Sequence, residues 1–329
     1  MGETDSWREL LREITEEPRE KHRICQELSI QPITLTRWIN GDTDPRPQNL
    51  YHLLSTMPQY REQLIDLLQL DERFADFSFE RLDKEAHEIP VDFYINLLKN
   101  RATMLDSARY KGLGRVILQQ AINQLDPEKL GMSVSVVRCM PKSRRDQKIH
   151  SLRESIGIGN PPWGRDRELN AMFLGAESLC GYVVTTGEEQ INQDVQHGDS
   201  LIPAHKTPEE KSAAVYPIVH EGKIAGALLI SSTQLNYFVA EARLNLMKTF
   251  TNLIALIFEP YEFYDSADIQ LLQMPDQQQQ APSFANYRQR VLDLLSQSRG
   301  TEHEMSSGEA EDEVWRQLEE ELLNYDDKR

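Results

Sequence analysis

The sequence predicts a multidomain chain: an all-α N-terminal bundle, a central α/β domain on an antiparallel sheet, and a helical C-terminal tail. Three observations carry this. Up to about residue 73, short apolar repeats at helical spacing are punctuated by Pro18, Pro32, Gly41 and Pro47. Further on, Ala213–Val219 and Ile224–Ser231 are rich in Val, Ile and Leu and flank the turn residues His220-Glu221-Gly222-Lys223, the pattern of a β-hairpin. Beyond residue 262, two apolar sets at three- and four-residue spacing stand on an acidic background.

The chain has 329 residues, enough for two or three modest domains with cores of their own. No apolar run is long enough to span a bilayer, and Met1–Asp5 is acidic rather than basic-then-apolar, so a cytoplasmic protein without a signal peptide is expected. Cys25, Cys139 and Cys180 lie far apart and make neither a disulfide framework nor a metal spacing. A net charge of −17 argues against indiscriminate binding to nucleic acid or anionic membrane. Any DNA-binding surface must be local.

The first domain, residues 1–73, reads as five helices. Trp7–Thr15 places Trp7, Leu10, Leu11 and Ile14 on one side, and Pro18 separates it from Arg19–Leu28. Ser29-Ile30-Gln31 then turns into Pro32–Ile39, where proline suits the first helical position and Asn40-Gly41 stops the helix. Helices from Gln48 to Met57 and over Tyr60–Leu70 complete the set. Two short helices joined by a three-residue turn are the parts of a helix-turn-helix.

Ile24-Cys25-x-x-Leu28-Ser29-Ile30, Thr34-Leu35-Thr36-Arg37-Trp38-x-x-Gly41 and Pro47-x-x-Leu50 together resemble the Cro/CI-repressor (XRE-type) family. Two features depart from it: Ser29 stands where the family prefers glycine, and Asp42 and Asp44 stand where it often has Lys or Arg. The resemblance implies that Gln31, Ile33, Thr34 and Arg37 face the major groove, with Arg37 suited to bidentate pairing with guanine. Arg19, Lys21, Arg23, Asn40, Arg46 and Arg61 are the candidates for phosphate contact. A five-helix bundle with solvated polar faces is the bland alternative.

Residues 74–88 are charged and aperiodic, an expected linker. The central domain, 89–261, opens with helices carrying Phe93, Tyr94, Leu97, Leu98, Met104 and Leu105, then Leu113–Leu125. Ser133–Arg138 and Ser151–Ile158 read as strands, and Gly159–Arg167 as a Pro/Gly-rich loop. A helix runs to about Thr186 and is broken by Gly187, before a short strand at Ile191–Val195. In the hairpin, Tyr216, Ile218, Ile224, Leu228 and Ile230 sit at even offsets within their strands, and Gly226 marks a bulge or a close backbone approach. A helix over Val239–Phe258 closes the domain.

Leu179-x-Gly181-x-Val183, Thr186-Gly187, Ile191-x-x-Asp194-Val195, Pro217 and Gly222-Lys223-Ile224-x-Gly226-x-Leu228 resemble, in that order, a GAF domain, a PAS-like α/β module. The resemblance implies sensing of a small molecule, dimerisation, or both, with a ligand held between sheet and long loops. Arg138, Trp163, Arg165, Phe173, Thr185, Asn192 and Tyr216 are the candidate lining residues; the arginines suit a carboxylate or phosphate. Family members that reduce methionine sulfoxide use closely grouped cysteines, and bilin-binding members a Cys-His pair. Cyclic-nucleotide binders carry an Asn-Lys … Phe … Asp-Glu pattern. None of these patterns is in this chain. His197 and His205 flank an acidic loop and read as solvated. No phosphate loop, nucleophile elbow or metal motif occurs, so a non-enzymatic protein without metal or cofactor is expected.

In the tail, 262–329, Gln277–Gln280 with neighbouring prolines reads as low-complexity linker and Ser306-Ser307-Gly308 as flexible. Phe284, Tyr287, Val291 and Leu295, then Trp315, Leu318, Leu322 and Tyr325, are amphipathic helices that dock on this protein or on a partner, unless the tail is disordered. The combined expectation is a DNA-binding transcriptional regulator, a homodimer on operator DNA with an unidentified effector. The alternative is a signalling or assembly adaptor that uses the bundle and tail helices for protein contacts.

Overall fold

The computed structural model describes residues 6–28, 30–57, 60–71, 73–74, 88–127, 129–164, 172–195, 209–300 and 304–324. Ser29, Arg165, His197, His205, Tyr325 and linker residues 75–87 lie outside them. The chain divides into two compact units, residues 1–86 and 87–329.

The first unit holds α1 (Trp7–Ile14), α2 (Pro18–Glu27), α3 (Pro32–Asn40), α4 (Pro47–Thr56) and α5 (Arg61–Gln69). Pro18, expected as a separator, is instead the first residue of α2, a position where a missing N–H costs nothing. Pro32 and Pro47 open α3 and α4 in the same way. Trp7, Leu11, Ile24, Leu35, Trp38, Leu50 and Leu64 meet in a single apolar core. Gly41 ends α3 in the left-handed conformation at φ +82°, which lets the Asp42 N–H donate to Arg37 O at 2.9 Å.

The second unit is built on a six-stranded antiparallel sheet. Its strands are β1 (Met132–Cys139), β2 (Leu152–Gly159), β3 (Phe173–Leu174), β4 (Gln190–Asn192), β5 (Ser212–His220) and β6 (Lys223–Ser232), in the order β3-β2-β1-β6-β5-β4. The helices are α6 (Val91–Thr103), α7 (Asp106–Leu125), α8 (Leu179–Thr186), α9 (Glu241–Ala255), α10 (Gln277–Phe284), α11 (Tyr287–Ser298) and α12 (Ser307–Leu323).

Both sheet faces are apolar. On one, Val134, Val136, Tyr216, Leu228 and Ile230 pack with Leu97 of α6, Leu113 and Ile117 of α7, and Phe250 and Ile254 of α9. On the other, Val137, Cys139, Val215 and Leu229 pack with Leu179, Cys180 and Val183 of α8. α7 begins seven residues earlier than the periodicity suggests and runs through Gly112 and Gly114. A Cβ at Gly114 would come within 2.3 Å of Ile156 Cδ1, so glycine lets the helix lie close to β2.

Two bulges decide which residues share a face. In β2, Val136 pairs with Ile156 but Val137 with Glu154, leaving Ser155 extra. In β6, Ile218 pairs with Gly226 and Val219 with Ile224, leaving Ala225 extra. Ile224 therefore joins the α8 side while Leu228 and Ile230 stay on the opposite side, contrary to the even-offset expectation.

The tail packs on the sheet domain. Residues 268–272 run beside Ile149–His150, with Gln270 N–H donating to Ile149 O and Leu272 N–H to His150 O, each at 2.9 Å. Gln277–Gln280, expected as linker, is the first turn of α10, because Asp276 and Gln279 form a reciprocal capping box. Gln280 is buried: it accepts from Phe173 N–H at 2.9 Å and donates to Phe173 O at 2.8 Å, pairing with the edge strand as another strand would. Ser306, expected to be flexible, caps α12 through Glu309. Val291, Val314, Leu318 and Leu322 then close over Met140 and Phe173.

Gly226 sits at φ +153°, where an added Cβ would come within 2.1 Å of Val137 O. Gly222, in the turn at φ +76°, has open space. In urea denaturation, Gly222→Ala is expected to cost about 1 kcal/mol, the left-handed penalty alone. Gly226→Ala adds a backbone clash and is expected to cost ~3 kcal/mol. Equal midpoints for the two would contradict the close β1–β6 approach.

Candidate functional site

In the first unit the candidate surface is the outer side of α3. Gln31, Ile33, Arg37 and Asn40 are exposed, and Thr34 is half-buried. Residues 33, 37 and 40 recur at helical spacing and share one face. Leu35 and Trp38 point inward and are buried. Ile33 is 58% exposed, an apolar side chain left in solvent beside polar neighbours. Arg46 is exposed at the cap of α4.

This helix is held from behind by arginines of α1. Arg8 donates to Trp38 O and Arg12 to Ile39 O at 3.3 Å, so cationic groups satisfy the last carbonyls of α3. Asp44 is bound by Arg8 and, at 3.2 Å, by Arg73. Its carboxylate is thus ion-paired within the bundle. Asp71 accepts from Arg73 at 2.8 Å and from Trp7 Nε1 at 2.9 Å, and these bonds hold its carboxyl far below the usual range. Not every candidate phosphate ligand is free. Arg23 is held by Glu20 at 2.7 Å, Glu27 at 2.8 Å and Thr56 O at 3.1 Å, and Lys21 donates to Thr36 Oγ1 at 3.1 Å.

In the second unit Arg165 lies outside the described residues, and the other six candidate lining residues are spread over several places. Arg138 and Tyr216 lie on the face covered by α7 and α9. Phe173 is fully buried beneath the tail, with Phe284 at 6.0 Å and Trp315 at 5.9 Å. Trp163 is buried in its own loop, close against Gly159. Thr185 is exposed on α8 and Asn192 is half-buried on β4. The space expected between sheet and loops is, on its described side, filled by apolar side chains.

A surface groove of about 680 Å³ lies elsewhere, lined by Phe93 of α6, Arg115, Val116, Gln119 and Asn123 of α7, and Ile158 of β2. Sequence reasoning missed it because its polar lining comes from the side of α7 that faces away from the core. Both cysteines of the second unit are buried. Burial pushes Cys139 up to about 12 and raises Cys180 as well, the opposite of what a reactive thiolate requires. Among the described residues no three His, Cys, Asp or Glu side chains are grouped to hold a metal ion, and no helix is long and apolar enough to cross a membrane.

The tail carries a titrating group that sequence reasoning also missed. Glu319 of α12 is 6% exposed and accepts from Ser151 Oγ at 2.6 Å, with His150, Arg316 and Glu320 close by. Burial pushes its carboxyl up to about 7, against the opposing pull of the Ser151 bond. The docked tail then binds a proton that the free tail releases from about pH 4.5 upward. Docking is strongest below that pH and weakens as pH rises to about 7. Melting or limited proteolysis at pH 5 and pH 8 is expected to show a loss on the order of 2–3 kcal/mol in the wild-type chain. Glu319→Gln should abolish the pH dependence.

Residues 112–259 match the GAF domain family. Three solved structures illustrate the chains it is similar to. A type II free methionine-R-sulfoxide reductase from Thermoplasma acidophilum is 18% identical, with 47% of this chain and 97% of that chain covered and a TM-score of 0.35. The GAF domain of an Acinetobacter phosphoenolpyruvate-protein phosphotransferase is 16% identical, covering 51% and 91%, TM-score 0.33. The GAF domain of a Bacillus halodurans two-component sensor histidine kinase is 17% identical, covering 45% and 95%, TM-score 0.31. Among curated proteins no sequence matches this chain.

Proposed function

For a chain that carries a GAF domain at residues 112–259, we propose the role of a DNA-binding transcriptional regulator without enzymatic activity. In this reading α3 enters the major groove of an operator, and the GAF domain senses a small molecule, dimerises, or both. The observation that carries it is the outer side of α3. Gln31, Ile33, Arg37 and Asn40 are presented together, their helix is braced from behind by Arg8 and Arg12, and Asp44 is ion-paired within the bundle. Arg37 pairs with guanine, Ile33 meets a thymine methyl, and Asn40 and Arg46 meet phosphate.

A second observation supports a homodimer. Val91, Ile95 and Leu98 on α6, and Leu105 after it, are each more than half exposed. The first three recur at four and three residues, the spacing of a helix-pairing seam. A second copy is the fitting occupant, because two recognition helices are needed to reach successive major grooves. Effector binding in the GAF domain would change the pairing of α6 and α7 and with it the half-site spacing.

Fluorescence anisotropy with the DNA upstream of the protein's own coding sequence, across a salt series, tests the reading. Specific binding should weaken with salt. Arg37→Ala should lose roughly 10- to 100-fold in affinity through the missing base contact. Binding indifferent to Arg37 would return the bundle to a protein-docking role, as in the adaptor alternative. Sedimentation tests the seam separately: Leu98→Asp is expected to convert a dimer to a monomer without unfolding it, and a wild-type monomer at micromolar concentration would rule the seam out.

A further inference from the structure

Arg138 of β1 and Arg153 of β2 are register partners, so both side chains leave the sheet on the same face. Like charges directly opposite on a sheet repel. Arg138 is compensated: it donates to Glu262 at 2.7 Å and lies over the Tyr110 ring at 5.0 Å. Arg153 is not. It is 9% exposed, its Nε has no hydrogen-bond partner, and among the described residues no carboxylate lies within ion-pair distance of it. Its close companion is the Trp315 ring of α12, 4.3 Å from the guanidinium carbon. Burial, and then the neighbouring Arg138, push its pKa down to about 10.

A buried cation next to another cation, with its Nε unpartnered, is costly for a fold to keep. An aromatic face offsets part of that cost, but it supplies no hydrogen-bond acceptor for a planar fork of five N–H donors. The same fork is the group best matched to a carboxylate or a phosphate. The Ser155 hydroxyl, which donates to Val136 O at 3.0 Å and bonds the Tyr110 hydroxyl, gives the neighbourhood further polar character.

We propose that the cross-strand pair Arg138–Arg153 is a binding site for a small oxyanion, a carboxylate or a phosphate, and that Trp315 of the tail occupies the anion's place in the closed chain. Trp315 is packed against Tyr287 at 4.4 Å and near Phe284 at 5.9 Å, so it leaves Arg153 only if α12 shifts on its neighbours. Anion binding and tail docking therefore exclude each other, and each weakens the other by the same factor. The site lies on the sheet face opposite α8 and uses no residue of α3, so it stands or falls apart from the DNA-binding role proposed above.

The test titrates the full chain with inorganic phosphate and, in a separate arm, with acetate, each against chloride at matched ionic strength. Tryptophan fluorescence reports binding, and amide exchange over residues 307–323 reports the tail. A saturable response in either arm, with faster exchange in α12, is expected, and the responding arm identifies the oxyanion. Arg153→Met should lose the response while melting no lower than wild type, since it removes a buried charge that has no contact ion pair. Arg153→Lys should bind about 10-fold more weakly, having lost the planar fork. The proposal is overturned by no saturable response in either arm, by an undiminished response in Arg153→Met, or by binding that leaves α12 exchange unchanged. If Arg153→Met does not fold, an unchanged affinity in Arg153→Lys overturns it as well.

Discussion

The second unit depends on one constraint: its sheet is apolar on both faces, and both must be covered. Helices α6, α7 and α9 supply one cover. On the other face α8 and the segments around Met172 and Val195 supply the second. Neither layer reaches the short edge strand at Phe173–Leu174 completely. The tail closes that gap, with Val314, Leu318 and Leu322 over Phe173 and the Gln280 amide on its backbone. The tail residues beyond the GAF domain thus belong to the same compact body.

The two bulges have consequences beyond curvature. With Ser155 extra, Arg153 and Ile156 share the helix-covered face although their spacing in the sequence would separate them. Glu154 points to the opposite side, beside Val137. A strand without the bulge would put Arg153 on the α8 face, away from Ile156. The pairing of Arg153 with Arg138 and its contact with Trp315 are therefore products of one inserted residue.

Part of the acidic excess behind the net charge of −17 meets cationic groups at defined places. Acidic α12 lies on cationic groups, with Glu311 at 3.3 Å from Lys111, Glu313 at 2.9 Å from Arg144 and Glu321 at 2.7 Å from Arg290. Such pairs are largely exposed and add little stability, so their effect is to orient the helix. Its attachment comes from the apolar side and from the buried Ser151–Glu319 bond. In the first unit the pairing works the other way: Arg8 and Arg73 absorb Asp44, leaving Arg37 and Arg46 facing outward.

Local signals in the chain dictate the helices of the first unit, the β5–β6 hairpin and the strands β1 and β2. Each is written in short-range periodicity and in turn residues such as Gly41, Gly187 and Gly222, whose left-handed backbone is specified within a few positions. The same signals place Leu35 and Trp38 inside and Arg37 outside, because a helix has only one register. Tertiary packing, by contrast, settles that Ile224 faces away from Leu228 and that Gln277–Gln280 forms helix. It settles likewise that Leu98 and Leu105 stay exposed, and that Arg153 meets Arg138 and Trp315. These outcomes depend on partners far along the chain. A bulge, a buried amide on a strand edge and a cation under an aromatic ring leave no period in the sequence, since the group that completes each of them lies on another element.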